Sequence, residues 1–401
     1  MIIKSQAKAI LTLAVFCIMA VSVHAADILI PELSISTHGS FNDADRFVLS
    51  SRSSFDLLIQ GGAKFSAFLK LGFRTTDLES HLNAIGTGVS LSNTPDNSEL
   101  AAAIRQLEHM QGLEFRSTAV TIDKLFSTPL ELSVFIGHHD VFASGDDFVN
   151  LFGSKPFATR IKGFMYYPEG IGPNQNIWYD GLHEAYGTGF RLSWKGLPVT
   201  PYVYAYQDSW LGVGHYSFDA RMLFNQDLLK LEAFAGASIP VGTMGAYRGG
   251  ILFYVDTGTI GSFYAQIGVP YWQPDSEFAL SNMYFLFEPR LQFGIANLTL
   301  SLFFHPAYYL QQLTEKDGAL DLRVNVLFGD INKVSRQGGL DSKLSYDPNA
   351  SEQNIQLELA PYFQMVSGGV RWDLRLTSRI LPLPAQWYHI FAPTIGITTS
   401  F

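Results

Sequence analysis

The stretch Phe391-Ala392-Pro393-Thr394-Ile395-Gly396-Ile397-Thr398-Thr399-Ser400-Phe401 decides how the chain is read. Phe391, Ile395, Ile397 and Phe401 fall on one face, and Thr394, Gly396, Thr398 and Ser400 on the other. A period of two is the signature of a strand with one apolar side and one polar side. The same alternation recurs upstream. Val370, Trp372, Leu374 and Leu376 alternate with Arg371, Asp373, Arg375 and Thr377. Ile355, Leu357, Leu359 and Phe363 alternate with Gln356, Glu358, Tyr362 and Gln364, and Leu320 to Phe328 repeats the pattern around Asp321, Arg323 and Asn325. Phe65 to Phe73 does so around Lys64, Ser66, Lys70, Gly72 and Arg74, with Phe68 as the exception.

Working outward, eighteen such stretches run from 28–37 to 387–401, and sixteen remain if 28–37 and 333–345 are set aside. Their connections alternate in length. Gly61-Gly62, Lys195 to Pro198, Asp256 to Gly261, Gly294 to Asn297 and Ser367 to Gly369 are tight turns. Long links fall between them, above all 75–111 and 141–176. The tryptophans 178, 194, 210, 272, 372 and 387 lie near expected strand ends, where amphipathic rings settle at a membrane–water boundary. A soluble sandwich shares the alternation but has no reason for short turns on one rim and long loops on the other.

Composition agrees. Charged residues make up 16% of the 401, against about 25% in an ordinary soluble domain. Residues 1–25 have the layout of a secretory signal peptide, with Lys4 and Lys8 before the apolar run Ile10 to Val23 and a cut expected ahead of Ala26. The single cysteine, Cys17, leaves with it, so neither disulfides nor a thiolate metal site are expected in 26–401. The formal charge moves from −9 to −11 when Lys4 and Lys8 are lost, a poor balance for nucleic acid. No later apolar run is long enough for a membrane helix. An exported, apolar-rich chain without one can enter a membrane by closing its strands into a barrel, which satisfies every backbone group internally.

The final strand, ending in Phe401, resembles the C-terminal signature of Gram-negative outer-membrane proteins. That resemblance implies an all-β fold: a closed antiparallel transmembrane barrel of about 16–18 strands over 26–401, with short periplasmic turns and long extracellular loops. It also implies the outer membrane as location and the barrel-assembly machinery as partner, with Phe391, Ile395, Ile397 and Phe401 as the assembly signal.

With the apolar face toward lipid, Lys70, Arg74, Arg116, Arg191, Arg221, Arg248, Arg323, Arg371 and Arg375 point inward and are the pore-lining candidates. Lys64, Arg290 and the acids Glu114, Asp219, Glu232, Asp256, Glu288, Glu358 and Asp373 share that side. A Lys or Arg facing lipid at mid-depth costs about 2–4 kcal/mol, so these charges face water or one another. They pair off in a closed barrel or line an aqueous path, and a strand number near 16–18 favours the path. The link 141–176 holds Asp146, Asp147 and Glu169. In general porins the loop at that place folds inward. Acids there would oppose the basic wall across a constriction. A surface loop is the alternative. The link 75–111 carries an expected helix after Ser98, lying over the mouth or packed on the rim.

Motifs for chemistry are scarce. His183-Glu184 lacks the second histidine of a zinc protease helix, and His138-His139 point to opposite faces of one strand. His215, His305, Asp208 and Ser209 could contribute to a rim hydrolase but form no specific pattern. The leading expectation is therefore a porin-like channel for small hydrophilic solutes that is not an enzyme. It needs no cofactor or metal, sits among outer-membrane lipid, and assembles as a monomer or a homo-trimer. A transporter of apolar compounds, as in the fatty-acid transporter family, and a surface adhesin or structural barrel are the alternatives.

Overall fold

The computed structural model describes residues 27–29, 33–42, 44–75, 113–159, 181–196, 198–258, 260–305, 319–329, 335–346, 348 and 354–399. The expected signal peptide, the expected helix after Ser98, Glu169, Trp178 and Phe401 lie outside them.

Among the described residues, the alternating stretches quoted above form strands. The strands are β1 Asp27–Leu29, β2 Leu33–Phe41, β3 Phe47–Gly62, β4 Phe65–Thr75, β5 Leu113–Leu125 and β6 Leu130–Phe142. After a helix α1, Asp146–Phe152, come β7 His183–Trp194, β8 Val199–Asp208, β9 Tyr216–Asn225, β10 Leu229–Ile239, β11 Ala246–Asp256 and β12 Gly261–Trp272. The last are β13 Tyr284–Phe293, β14 Ala296–His305, β15 Ala319–Phe328, β16 Arg336–Tyr346, β17 Ile355–Ser367, β18 Val370–Leu381 and β19 Phe391–Thr399.

From β2 to β19 each strand pairs antiparallel with the next in sequence, and β19 closes on β2 through Ile397↔Ile35 and Thr394↔His38. The result is a closed barrel of 18 strands. β1 extends the line of β2 along the same edge of β3, Asp27 opposite Gln60 and Leu33 opposite Phe55. The described parts of the expected stretch 28–37 thus both lie on the wall. The stretches expected at 278–292 and 387–401 start too early: Leu280–Asn282 and Trp387–Ile390 are 3-10 turns, and the ladder begins only at Tyr284 and Phe391.

Short turns occupy one rim. The turn at Gly368 and Gly369, with φ of 61° and 79°, uses the left-handed region that favours glycine and that a two-residue hairpin needs. The connections 76–112, 143–182 and 306–318 leave from the opposite rim.

The wall is inside-out relative to a soluble protein. Along β9, Phe218, Ala220 and Met222 are exposed while Ser217, Asp219 and Arg221 are buried. Val134, Phe190, Val203, Ile251, Phe287, Leu322, Leu374 and Ile395 are exposed on the outer face of other strands. An apolar exterior encircling charged inward side chains matches hydrocarbon outside and polar surroundings within, so the barrel is of the membrane-spanning kind. No helix among the described residues is long and apolar enough to cross a membrane. The buried apolar cluster lies within the barrel, where Phe135, Tyr204, Tyr206, Tyr254, Tyr264 and Tyr284 on the wall meet Phe148, Phe157 and Leu182 from the β6–β7 connection.

Candidate functional site

The segment after β6 enters the barrel because its backbone turns sharply and its partners lie on the inner wall. A bulge between His138 and Val141 redirects the strand end. Ala143 and Gly145 then take positive φ of 58° and 86°, and α1 ends at Gly153 with φ 62°. Substituting Gly145 would strain that turn and press a Cβ 2.8 Å from the Phe157 carbonyl oxygen.

Each step of the segment is tied to a different wall strand. The Ala143 N–H donates to Glu232 Oε1 at 2.6 Å, and the Ala143 carbonyl accepts from Gln266. Ser154 Oγ donates to Asn225 Oδ1 at 3.3 Å. Thr159 Oγ1 donates to Glu288 Oε2 at 2.8 Å, and the Ala158 carbonyl accepts from Arg290. Phe157 stacks on Tyr254 with centroids 4.4 Å apart and meets Phe148 at 5.4 Å. Leu182 returns the chain to the wall over Gly250, where a Cβ would lie 2.7 Å from the leucine Cδ1.

Asp147 lies 2.5 Å from Arg221 Nη1, and Arg221 Nε donates to Glu232 Oε1 at 2.6 Å. Two carboxylates thus share one guanidinium, and that guanidinium sits 5.2 Å from the Phe142 ring. Burial, together with repulsion from Asp140 and Glu232, outweighs the pull of Arg221 and Arg191. The Asp147 carboxyl is pushed up to about 6. Asp146, on the same turn, is exposed.

The wall cations are not a uniform row. Arg191 bridges Glu131 at 2.6 Å and Asp140 at 2.8 Å, and Tyr204 OH also donates to Asp140. Arg248 holds Asp219 through Nε and Nη2, both at 2.7 Å, and reaches Ser238. Arg323 Nε and Arg375 Nη1 meet on Asp341 at 2.7 and 3.3 Å, with Arg375 over the Tyr362 ring. Arg191 and Asp140 are half-buried, and the other charged groups of these clusters are buried. Lys70 and Arg371 differ. Their side chains remain 38% and 39% exposed beside Asp56 and Asp373, on the wall away from the inward segment. Arg116 sits at a bulge and lies over Gly72. Arg74 is paired through its backbone with Ser54.

The C-terminal strand has the expected faces. Phe391, Ile395 and Ile397 share the outer face with Ser378, Leu374 and Trp372 across the ladder, while Thr394 faces inward and bonds His38. His138 and His139 diverge as a strand requires. His138 pairs outward with Glu184 at 3.0 Å, whereas His139 stacks inward on Phe135 with centroids 4.4 Å apart. Asp208 accepts from Ser217 Oγ and from the Trp210 N–H, and His215 Nδ1 is buried without a hydrogen-bond partner. No nucleophile–base pair links His215 to Asp208 among the described residues.

Sequence reasoning passed over Glu131, Asp140, Thr159 and Gln266, which hold the wall cations and the inward segment. Asp140 is hidden by the bulge, which breaks the period of two at that point. Phe68 did carry a signal: the one apolar residue on the polar side of β4 packs against the buried cluster, its ring parallel to His139.

No family model matches the chain, and no curated protein matches it. Among solved structures it is similar to variants of a porin from Rhodopseudomonas blastica. A variant with five substitutions superposes with a TM-score of 0.42 at 10% identity over 94% of this chain and 100% of that one. A structure described as "Asymmetric conductivity of engineered proteins" gives 0.40 and 11% with the same coverage. At those values the architecture rests on the strand pairing of this chain itself: an 18-stranded antiparallel membrane barrel with residues 143–159 folded inward.

Proposed function

We propose that the barrel stands in the outer membrane of a double-membraned bacterium and passes small hydrophilic solutes by diffusion. The observation that carries this is the uneven lumen wall. The inward segment contacts the side built from β9 to β13, while Lys70, Asp56 and Arg371 on the other side keep solvent-exposed charged groups. Solutes would follow that basic side, past Lys70, Arg74, Arg116 and Arg371, with Asp146 and Asp147 (and Glu169 in the same connection) as the opposing acids. Arg191, Arg221, Arg248, Arg323 and Arg375 would set the field from within the wall. Outer-membrane lipid would surround the apolar exterior, the barrel-assembly machinery would read Phe391, Ile395, Ile397 and Phe401, and the assembled state would be a homo-trimer.

Single-channel conductance of the refolded protein in a planar bilayer tests this. Stable large steps are expected, and a folded barrel that passes no current overturns the reading. A transporter of apolar compounds would need an N-terminal plug, and Asp27–Leu29 and Leu33–Phe41 serve as wall strands instead. An adhesin with a closed lumen is separated by the same current measurement.

A further inference from the structure

Where β19 closes on β2, the inner wall carries a run of hydroxyls beside its arginines. One rung of the ladder runs Arg371, Thr398, Ser34, Ser54 across β18, β19, β2 and β3. The next rung runs Asp373, Gly396, Ser36, Arg52 on the same inward side. Gly396 adds no side chain, so short hydroxyl side chains floor a trough between the two arginines. Arg371 and Arg52 stand three strand spacings apart, about 14 Å between backbones. Arg371 Nη2 lies 3.5 Å from Thr398 Oγ1, and Ser34 Oγ lies 2.7 Å from Ser54 Oγ. Ser34, Ser36, Ser54, Thr398 and Arg52 are half-buried.

The chemistry differs from that of the other wall arginines. Arg191 is held by Glu131 and Asp140, Arg248 by Asp219, and Arg323 and Arg375 by Asp341. A carboxylate beside an arginine accepts its hydrogen bonds and repels any further anion. A hydroxyl can donate instead. In the Ser34–Ser54 pair one hydroxyl donates to the other, and the second keeps its own proton to give. Guanidinium and hydroxyl donors side by side form charge-assisted bonds to the oxygens of an oxyanion. The sole carboxylate of the two rungs, Asp373, is 3% exposed and bonded to Arg371 Nε at 3.2 Å, so it offers little to a cation. Neither rung has an aromatic ring to cover the face of a sugar.

We infer that this trough is a saturable binding site for small oxyanions, of the phosphate or sulfate kind, with Arg371, Arg52 and the Ser34, Ser54 and Thr398 hydroxyls as its donors. The inference names a solute class for the path proposed above and rests on that reading. The probe is inorganic phosphate, followed by phosphorus NMR as it is added to the folded barrel in a phosphate-free detergent. Line broadening is expected to saturate, to be reversed by sulfate and to be untouched by glucose. Arg371→Gln is expected to need about tenfold more phosphate for the same occupancy. Ser34→Ala with Ser54→Ala is expected to weaken binding about threefold, and serves if Arg371→Gln fails the heat-modifiable mobility check for folding. Lys195→Gln removes one positive charge beside Glu131 at the short-turn rim, outside the trough, and is expected to change nothing. Broadening that does not saturate, or an equal loss in Lys195→Gln and Arg371→Gln, overturns the site and leaves only a diffuse field. Chloride current in a planar bilayer reports on the channel reading separately. A conducting wild type that binds no phosphate sinks only the site, whereas saturable phosphate binding without current sinks the channel and keeps the site.

Discussion

Arg221 joins the barrel wall to the segment inside it: Nε donates to Glu232 Oε1 on β10 at 2.6 Å, and Nη1 donates to Asp147 Oδ2 on α1 at 2.5 Å. Arg221→Ala leaves two buried carboxylates without their cation. Removing one partner of a buried pair costs about 3–5 kcal/mol. The expected outcome is a segment released from the wall, seen as larger and noisier single-channel steps and an earlier urea unfolding midpoint. Arg221→Lys should restore little of this, because a point-like ammonium cannot span both carboxylates in the fork geometry. Unchanged steps in Arg221→Ala would show that the clamp does not hold the constriction.

The same pair makes a pH dependence. Asp147 is raised from 3.8 to about 6, chiefly by burial and then by the neighbouring carboxylates against the pull of Arg221. An acid with a raised folded value favours its protonated form, so its contribution to docking is complete below about 3.8 and is lost as pH rises through about 6. On the low side the segment also carries one negative charge fewer. Reversal potentials measured across this window should shift toward anions as pH falls, with a midpoint near 6. Asp147→Asn should flatten the curve. A shift that persists in Asp147→Asn assigns it to another group.

Much of this was legible beforehand, and the limits have physical causes. The period of two in Leu320–Phe328 or Val370–Leu376 fixes which side meets lipid, because a one-residue slip would turn every charge outward. Loop lengths told the rims apart. The residues that carry the inward segment were harder to see. Asp147 and Arg221 are 74 positions apart, and nothing local marks Arg221 as a clamp instead of a wall charge. Glu131, Asp140 and Arg191 form one network across two strands and a bulge, and a bulge is invisible to strict alternation. The early starts expected at 278 and 387 have another origin: next to Phe278 and at Trp387-Tyr388 the chain forms 3-10 turns at the rim, where girdle and strand residues share a composition.

The aromatic seat of the segment offers an uncharged test. Phe157 is buried between Tyr254 and Phe148, all within the barrel. Phe157→Ala removes a stacked pair and leaves a cavity, at a cost of about 3–5 kcal/mol. The loss is expected to be local, since the wall ladders on either side do not use this ring. Limited proteolysis should cut within 143–159 in the variant and not in the wild type, while heat-modifiable mobility of the barrel stays normal. A variant barrel that falls apart as a whole would mean that the segment is part of the folding core and not an insert held by it.

The two sides of the wall should also differ in chemical access. Arg371 is 39% exposed beside Asp373, whereas Glu232 is wholly covered by Arg221 and the Ala143 N–H. A cysteine at each position, in a Cys17→Ser background, reports on this directly. A small charged thiol reagent added to the folded barrel should label Arg371→Cys readily and lower its current as the bulky adduct enters the path. Glu232→Cys should react far more slowly, and should speed up when Arg221→Ala is added, because the clamp that shields it is then gone. Equal rates at both positions in the wild-type background would place the aqueous path on the wrong side of the lumen.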